Sequence, residues 1–217
     1  MDWPYPERVF GPSLDPTVLR TLWRAGTPLT GAQVHRLART GSERGVRYAL
    51  ARLVAQGIVT THAVGASNVY ELNDAHLAYP AVDAAFRALD PWQALARRVA
   101  DLVAESHPPV ADGETGETLT PQVTVSVFGS VARGTADEKS DLDLLVVVPD
   151  GTGGDHLADR LEVEGRRWTG QAVQVYLTTP RRLALARDAG DPLVESLRAD
   201  ARRVLGPSVD ELLRPAS

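Results

Sequence analysis

Cysteine is absent from the 217-residue chain, which excludes disulfide staples and thiolate metal sites and suits a reducing cytoplasm. Long apolar runs are missing as well. None approaches the ~18 residues that a membrane-spanning helix requires, so no membrane partner is expected. The opening residues, Met1 to Arg8, hold no basic stretch followed by an apolar core, so no secretory signal is expected. Lysine is nearly lacking: Lys139 stands alone, and every other basic side chain among the 23 Lys and Arg is an arginine. What is present is an ordinary globular balance, 43% hydrophobic and 24% charged, which excludes general disorder. The length fits one large domain or two small ones.

The formal net charge of −5 is unevenly spread. Residues 16–62 carry Arg20, Arg24, Arg36, Arg39, Arg44, Arg47 and Arg52 against the single acid Glu43, a balance of +6. Residues 76–217 sum to −7. A basic front on an acidic remainder is the footprint of a nucleic-acid-binding module joined to something else.

Helix starts are written locally. Asp15-Pro16, Asp90-Pro91 and Asp191-Pro192 each place a capping carboxylate before a proline at the first helical position. Thr30 and Gln33 have capping-box spacing, Ser42 caps a further start, and Gly57 is placed to end that helix in a left-handed conformation. The spacing predicts a helix over 16–24 with Val18, Leu19, Leu22 and Trp23 inward, and one over 31–38 with Val34 and Leu37 inward. A third covers 43–56, with Val46, Ala49, Leu50, Leu53 and Val54 inward and Arg44, Arg47 and Tyr48 on the opposite face. Strands are expected over 58–62 and 68–72.

Three helices with a tight turn before the third, then a two-stranded wing, resemble a winged helix-turn-helix domain over 15–75. The stretch Leu50 to Val59 is similar to the third helix and first wing strand of bacterial winged-helix regulators. The resemblance implies that the third helix enters the major groove of double-stranded DNA. Arg44, Arg47 and Tyr48 would then face base edges, with Arg39, Arg52 and the wing around His62 nearer the phosphate backbone. By the same analogy a transcriptional regulator working as a homodimer on a palindromic site is implied. The alternative use of the face is solvation of a helix in a protein-interaction module.

Residues 76–90 are expected as a connecting helix with Val82, Ala85, Phe86 and Leu89 in a stripe. The next helix, 91–106, is expected to bury Trp92, Leu95, Ala96, Val99, Leu102 and Val103. Residues 107–121 read as an exposed loop. The chemistry then concentrates in one stretch. An apolar strand, 123–128, runs into Gly129-Ser130, a short helix, and a second apolar strand, 144–148, opened by Asp141 and Asp143. Glycine lets the backbone approach a phosphate closely, and free N–H groups at a helix start can hold phosphate oxygens. Two carboxylates two residues apart on a strand project from one face. That pair suits Mg²⁺, or Mn²⁺, shared with a substrate polyphosphate.

Gly129-Ser130-x-Ala132-Arg133-Gly134, followed by Ser140-Asp141-x-Asp143-Leu144, resembles the signature of the DNA-polymerase-β-like nucleotidyltransferases, particularly their minimal bacterial members. The resemblance spans about 91–217. It implies a mixed β-sheet backed by helices, and with the resemblance over 15–75 the whole is expected as an α+β architecture, a winged helix-turn-helix followed by that sheet. It also implies transfer of a nucleoside monophosphate from a Mg²⁺-bound nucleoside triphosphate to an acceptor. Gly129, Ser130 and Arg133 would contact the nucleotide, and Asp141 and Asp143 would bind metal and serve catalysis. For Arg133 a helix-end role is the alternative, and Lys139 and Ser140 have weaker claims.

Members of that superfamily usually add a third carboxylate from a later strand, and here the aligned position, on a strand over 171–177, is Gln174. An amide carries no charge and is a poor general base. Two readings therefore stand: transfer, slow or full, and nucleotide sensing without turnover by a DNA-binding regulator. A third, an antitoxin-like module with a small helical toxin as partner, rests on the company such domains keep. Glu162, Glu164 and Asp191 are the acids that could reach the corner from helices. His156 is expected in solvent, Trp168 in the core and Tyr176 packed on its strand, with base stacking as its alternative. A helix over 155–168 and a final helix over 191–205, with Leu193, Leu197, Ala201 and Leu205 inward, complete the reading, the last few residues being loose.

Overall fold

Local caps decide where the first helices begin. In the computed structural model, which describes residues 1–108, 110–111, 118–119, 122–137 and 139–214, α1 (Asp15–Ala25) ends at the left-handed Gly26. A two-residue strand, β1 (Leu29–Thr30), leads into α2 (Gly31–Ala38), where Thr30 and Gln33 form the full capping box. Ser42 caps α3 (Glu43–Ala55) by accepting from Gly45 N, and Gly57 follows with φ of 80°. The hairpin β2 (Val59–Val64) and β3 (Ser67–Leu72) is antiparallel, and β1 adds to its β3 edge. Helix α4 (Tyr79–Ala88) closes this part of the chain.

The chain divides into two compact units, Tyr5–Asp90 and a second formed by Met1–Pro4 with Pro91 onward. The first unit packs Val18, Leu22, Val34, Val46, Leu50 and Leu53 into one core with the start of the hairpin. A buried ion pair, Arg20 to Glu7 at 2.6 Å, with Thr17 also donating to Glu7, fixes a 3₁₀ turn over Pro6–Phe10 onto α1. Two expectations change here. Leu37 is 52% exposed and Ala38 is buried instead, because the inward face of the short α2 runs through Val34 and Ala38, four residues apart. Asp15 lies inside α1 rather than capping it, and its carboxylate accepts from the guanidinium of Arg52.

The second unit is built on a four-stranded mixed sheet in the order β8-β7-β6-β9. Its elements are α5 (Pro91–Ser106), β6 (Thr124–Phe128), α6 (Gly129–Arg133), β7 (Leu142–Val147), α7 (Asp155–Thr169) and β8 (Val173–Thr178), after the short pair β4 (Val110–Ala111) and β5 (Thr118–Leu119). They continue with α8 (Pro180–Asp188), α9 (Pro192–Asp200), β9 (Arg202–Leu205) and α10 (Val209–Leu212). β6 runs antiparallel to β7 and β9, and β7 runs parallel to β8. Alternation along β7 sorts its side chains. Leu142, Leu144 and Val146 join the core with Val99, Leu157 and Leu161, whereas Leu145 and Val147 join Leu183, Val194 and Leu197 on the other face. Asp143, two residues before Leu145, therefore opens towards the face that carries α9.

Two expectations are revised, and a third lies outside the described residues. The 107–121 loop holds the antiparallel pair β4–β5, while 109, 112–117 and 120–121 lie outside the described residues. Of the last few residues, expected to be loose, 215–217 also lie outside them. The helix expected over 191–205 ends at Asp200. Ala201 turns extended, with φ −63° and ψ 124°, and Arg202–Leu205 become a sheet edge paired to β6. The open ladder of β6 and the Arg202 guanidinium 3.8 Å above the Trp92 ring win over the local helical pattern.

Candidate active site

Strand β6 delivers the chain to Gly129 in a left-handed conformation, φ 72°, at the first position of α6. A Cβ there would collide with the Asp143 carboxylate, so glycine is required twice, for the turn and for the close approach. Ser130 is half-buried beside it, and its carbonyl accepts from Thr135 N and Ala136 N, closing the turn after Gly134. Asp141 and Asp143 stand at the head of β7, with Phe128 paired opposite Asp143. The turn and both carboxylates named from the sequence thus meet at one corner of the sheet.

Gln174 lies in register with Asp143 on the parallel neighbour β8, and its Nε2 donates to Asp141 Oδ2 at 2.8 Å. An amide occupies this place in the corner. The helical acids do not supply a replacement. Glu164 pairs with Arg167, Asp191 caps α9 by accepting from Leu193 N, and Glu162 lies 3.4 Å from the backbone N of Val175. Among the described residues no three His, Cys, Asp or Glu side chains form a group able to hold a metal. The donor set is nonetheless chemically suited to a hard divalent cation, which takes carboxylate oxygens and completes its shell with substrate oxygens or water.

One contributor was missed by sequence reasoning. Asp200, at the end of α9, accepts from Arg133 at 2.5 Å, and its other oxygen, Oδ1, is buried without a hydrogen-bond partner. Burial pushes the Asp143 carboxyl above its ordinary value. The charge of Asp141 pushes it further, Arg133 pulls it back, and Asp200 pushes it up again. Arg133 therefore sits in the field of three acids at the corner. No local signal in the sequence links Arg133 with Asp200, which lies 67 residues further along.

Ser140 and Lys139 are occupied in the preceding loop, where the Ser140 hydroxyl and the Lys139 N–H both donate to Asp137 Oδ1. Asp137 accordingly lies below the usual carboxylate range, chiefly through the Ser140 bond. Tyr176 is exposed on the Gln174 face of β8, His156 is exposed, and Trp168 packs against the core with Arg98 over its ring.

In the first unit the expected DNA-facing residues fall into two groups. Arg44, Arg47 and Tyr48 are exposed on one face of α3, and Arg44 donates twice to the Tyr48 hydroxyl, at 3.1 and 3.0 Å. Arg39 holds the left-handed end of α2, φ 53°, and its carbonyl accepts from Tyr5. Arg52 is committed to Asp15 at 2.7 Å, and that hydrogen bond raises its pKa.

Residues 116–182 match the family model of the nucleotidyltransferase domain. No curated protein matches the chain. Similar solved structures include a toxin–antitoxin crystal structure with AMP-PNP. It is 17% identical with a TM-score of 0.36, and the match covers 54% of this chain and 80% of that one. Another is TrmBL2, an archaeal chromatin protein described as showing a novel mode of DNA binding. It is 16% identical with a TM-score of 0.27, over 85% of this chain and 71% of that one. Neither of these low-scoring likenesses bears on function. The family match, in contrast, places a nucleotidyltransferase domain over the segment that carries Gly129, Ser130, Asp141, Asp143 and Gln174.

Proposed function

We propose that the second unit binds a nucleoside triphosphate with a divalent cation at the Gly129–Asp143 corner and transfers its nucleoside monophosphate to an acceptor hydroxyl. The observation that carries this reading is the juxtaposition of the Asp141 and Asp143 carboxylates with the Cβ-free turn at Gly129. Asp141 and Asp143 would hold Mg²⁺. The cation would neutralise polyphosphate charge and stabilise in-line displacement at the α-phosphorus. Gly129 and Ser130 would seat phosphate oxygens, and Arg133 would reach the polyphosphate on leaving Asp200. Incubation with α-³²P-labelled triphosphates, Mg²⁺ and cell extract tests it. Label moves to an acceptor, and the Asp141→Ala/Asp143→Ala double variant stops the transfer.

A second reading is favoured by Gln174, whose amide bonds Asp141 where a base would otherwise stand. In it, the corner binds the nucleotide without turnover and the chain acts as a nucleotide-sensing regulator. Nucleotide binding by calorimetry, with no transfer of label to any acceptor, selects it.

For the first unit we propose a winged helix-turn-helix that binds double-stranded DNA through α3. Support comes from the exposed Arg44, Arg47 and Tyr48 beside an antiparallel hairpin.

A further inference from the structure

Gln171 is 3% exposed, and both ends of its side-chain amide are engaged. Its Nε2 donates to the carbonyls of Asp137 and Ser140, at 3.1 and 2.7 Å. Its Oε1 accepts from the indole Nε1 of Trp3 at 2.7 Å. The two carbonyls belong to the loop that delivers the chain to Asp141. One residue beyond, Leu142 N donates to Ala172 O at 2.8 Å. The bonds from Gln171 and Ala172 thus pin both sides of Asp141 to the start of β8.

A buried carboxamide is nearly symmetric in shape, so packing alone does not choose which end faces the loop. The indole N–H chooses, because it can only donate. It demands Oε1 and so leaves both amide hydrogens for the two loop carbonyls. A flipped amide would set three oxygens against one another and leave the indole unmet. Trp3 is itself seated in the core of the second unit, its ring 4.8 Å from that of Trp92.

This matters because Asp141 and Asp143 repel each other, and Asp137 and Lys139, in the stretch before Asp141, are exposed. Without that anchorage, the side-chain bond from Gln174 and the backbone bond from Leu142 to Ala172 are left to hold Asp141 against the repulsion of Asp143. We propose that Gln171, oriented by Trp3, is a positioning residue that fixes the spacing of the Asp141 and Asp143 carboxylates. The assignment of that spacing to a metal–nucleotide site rests on the function proposed above.

The test uses the full chain and two conservative variants. Trp3→Phe keeps a ring and removes the donor; Gln171→Glu keeps the shape and turns donors into an acceptor. Leu161→Val, a core change in α7, serves as a control for general loosening. Two quantities are read: amide hydrogen exchange over residues 137–142, and Mn²⁺ uptake in the presence of ATP, followed by electron paramagnetic resonance. Loss of one buried hydrogen bond, as in Trp3→Phe, corresponds to roughly a 2- to 10-fold change in each, and Gln171→Glu, which removes two donated bonds, to at least as much. Both variants are expected to show it, and the control is expected not to. Should Gln171→Glu fail to fold, Trp3→Phe alone carries the comparison. Unchanged exchange in Trp3→Phe overturns the positioning role. So does faster exchange with Mn²⁺–ATP held as tightly as in the parent. A parent protein that takes up no Mn²⁺ with any common triphosphate removes the nucleotide reading, while the exchange comparison still decides the clamp.

Discussion

The side-chain amide of Gln174 donates to Asp141 Oδ2 across a 2.8 Å gap between neighbouring parallel strands. This bond defines the corner electrostatically. It satisfies one carboxylate oxygen without adding charge, where a third acid would add repulsion in the absence of metal. Gln174→Glu is therefore expected to lower the melting temperature of the metal-free chain. With Mg²⁺ present the added ligand charge is expected to tighten cation binding by roughly tenfold. Thermal melts with and without Mg²⁺, alongside calorimetric titration, check both signs. A variant that loses stability equally with and without Mg²⁺ contradicts the argument.

Asp143 carries the complementary prediction. Its carboxyl titrates above the ordinary value, through burial first and the Asp141 charge next. A raised carboxyl pKa means that the folded chain holds that proton more tightly than the unfolded chain. This contribution to stability is fully present below the unfolded value and is lost as pH rises through the folded one. At neutral pH the ionised side chain opposes folding, so Asp143→Asn is expected to raise the melting temperature of the metal-free protein. The same variant is expected to lose stabilisation by Mg²⁺ and nucleotide. Melts at pH 4 and pH 7 check the sign, with the gain present at the higher pH and shrinking at the lower.

Gly129→Ala tests the geometry of the turn. The left-handed backbone costs an L-residue roughly 1–2 kcal/mol, and the new Cβ also displaces the Asp143 carboxylate. Chemical denaturation is expected to show a loss of about that size, and calorimetry a loss of nucleotide binding. Gly134→Ala makes the control. It shares the left-handed conformation, φ 71°, yet its Cβ would meet no atom within 4 Å. It should lose stability and keep binding.

How much of this was legible in the sequence depended on distance along the chain. Thr30 with Gln33, Ser42 and Asp191 acted within three residues, and the caps they signalled formed as expected. The Thr179-Pro180 start of α8 carries the same kind of local signal. Gly129, Asp141 and Asp143 were legible because a compact motif spans them. Trp3 and Gln171 are 168 residues apart, so the hydrogen bond between them follows from tertiary packing that no local pattern records. The end of α9 failed for a related reason. Residues 201–205 continue a helical stripe, and the vacant edge of β6 decided their conformation. Leu37 was misplaced because its spacing from Val34 fits an inward face as well as that of Ala38 does, and burial by the neighbouring helices settled the matter.

Arg133 and Asp200 pose a competition that binding can expose. A guanidinium paired to a carboxylate at 2.5 Å has less charge to offer a polyphosphate. Asp200→Asn weakens the pair while keeping the shape of the side chain. It is expected to strengthen ATP binding in Mg²⁺ by several-fold, whereas Arg133→Ala weakens it. Equal affinity in all three proteins would mean that Arg133 only ties α6 to α9.

The α3 face yields a prediction in which salt separates two kinds of arginine. Arg44 and Arg47 are exposed and without a carboxylate partner among the described residues, whereas Arg52 is already neutralised by Asp15. Each phosphate contact releases counterions, so the logarithm of DNA affinity falls linearly with the logarithm of salt, by about 0.9 per contact. Arg44→Ala/Arg47→Ala is expected to weaken binding to double-stranded DNA and to flatten that slope by up to about two. Arg52→Ala is expected to leave the slope nearly unchanged and to cost little stability, because the pair is exposed and Asp15, in the first turn of α1, still accepts from the Ser13 hydroxyl. Fluorescence anisotropy across a salt series measures all three. An unchanged slope in the double variant moves the DNA contact away from α3, and a flattened slope in Arg52→Ala means that DNA draws Arg52 from Asp15 on binding.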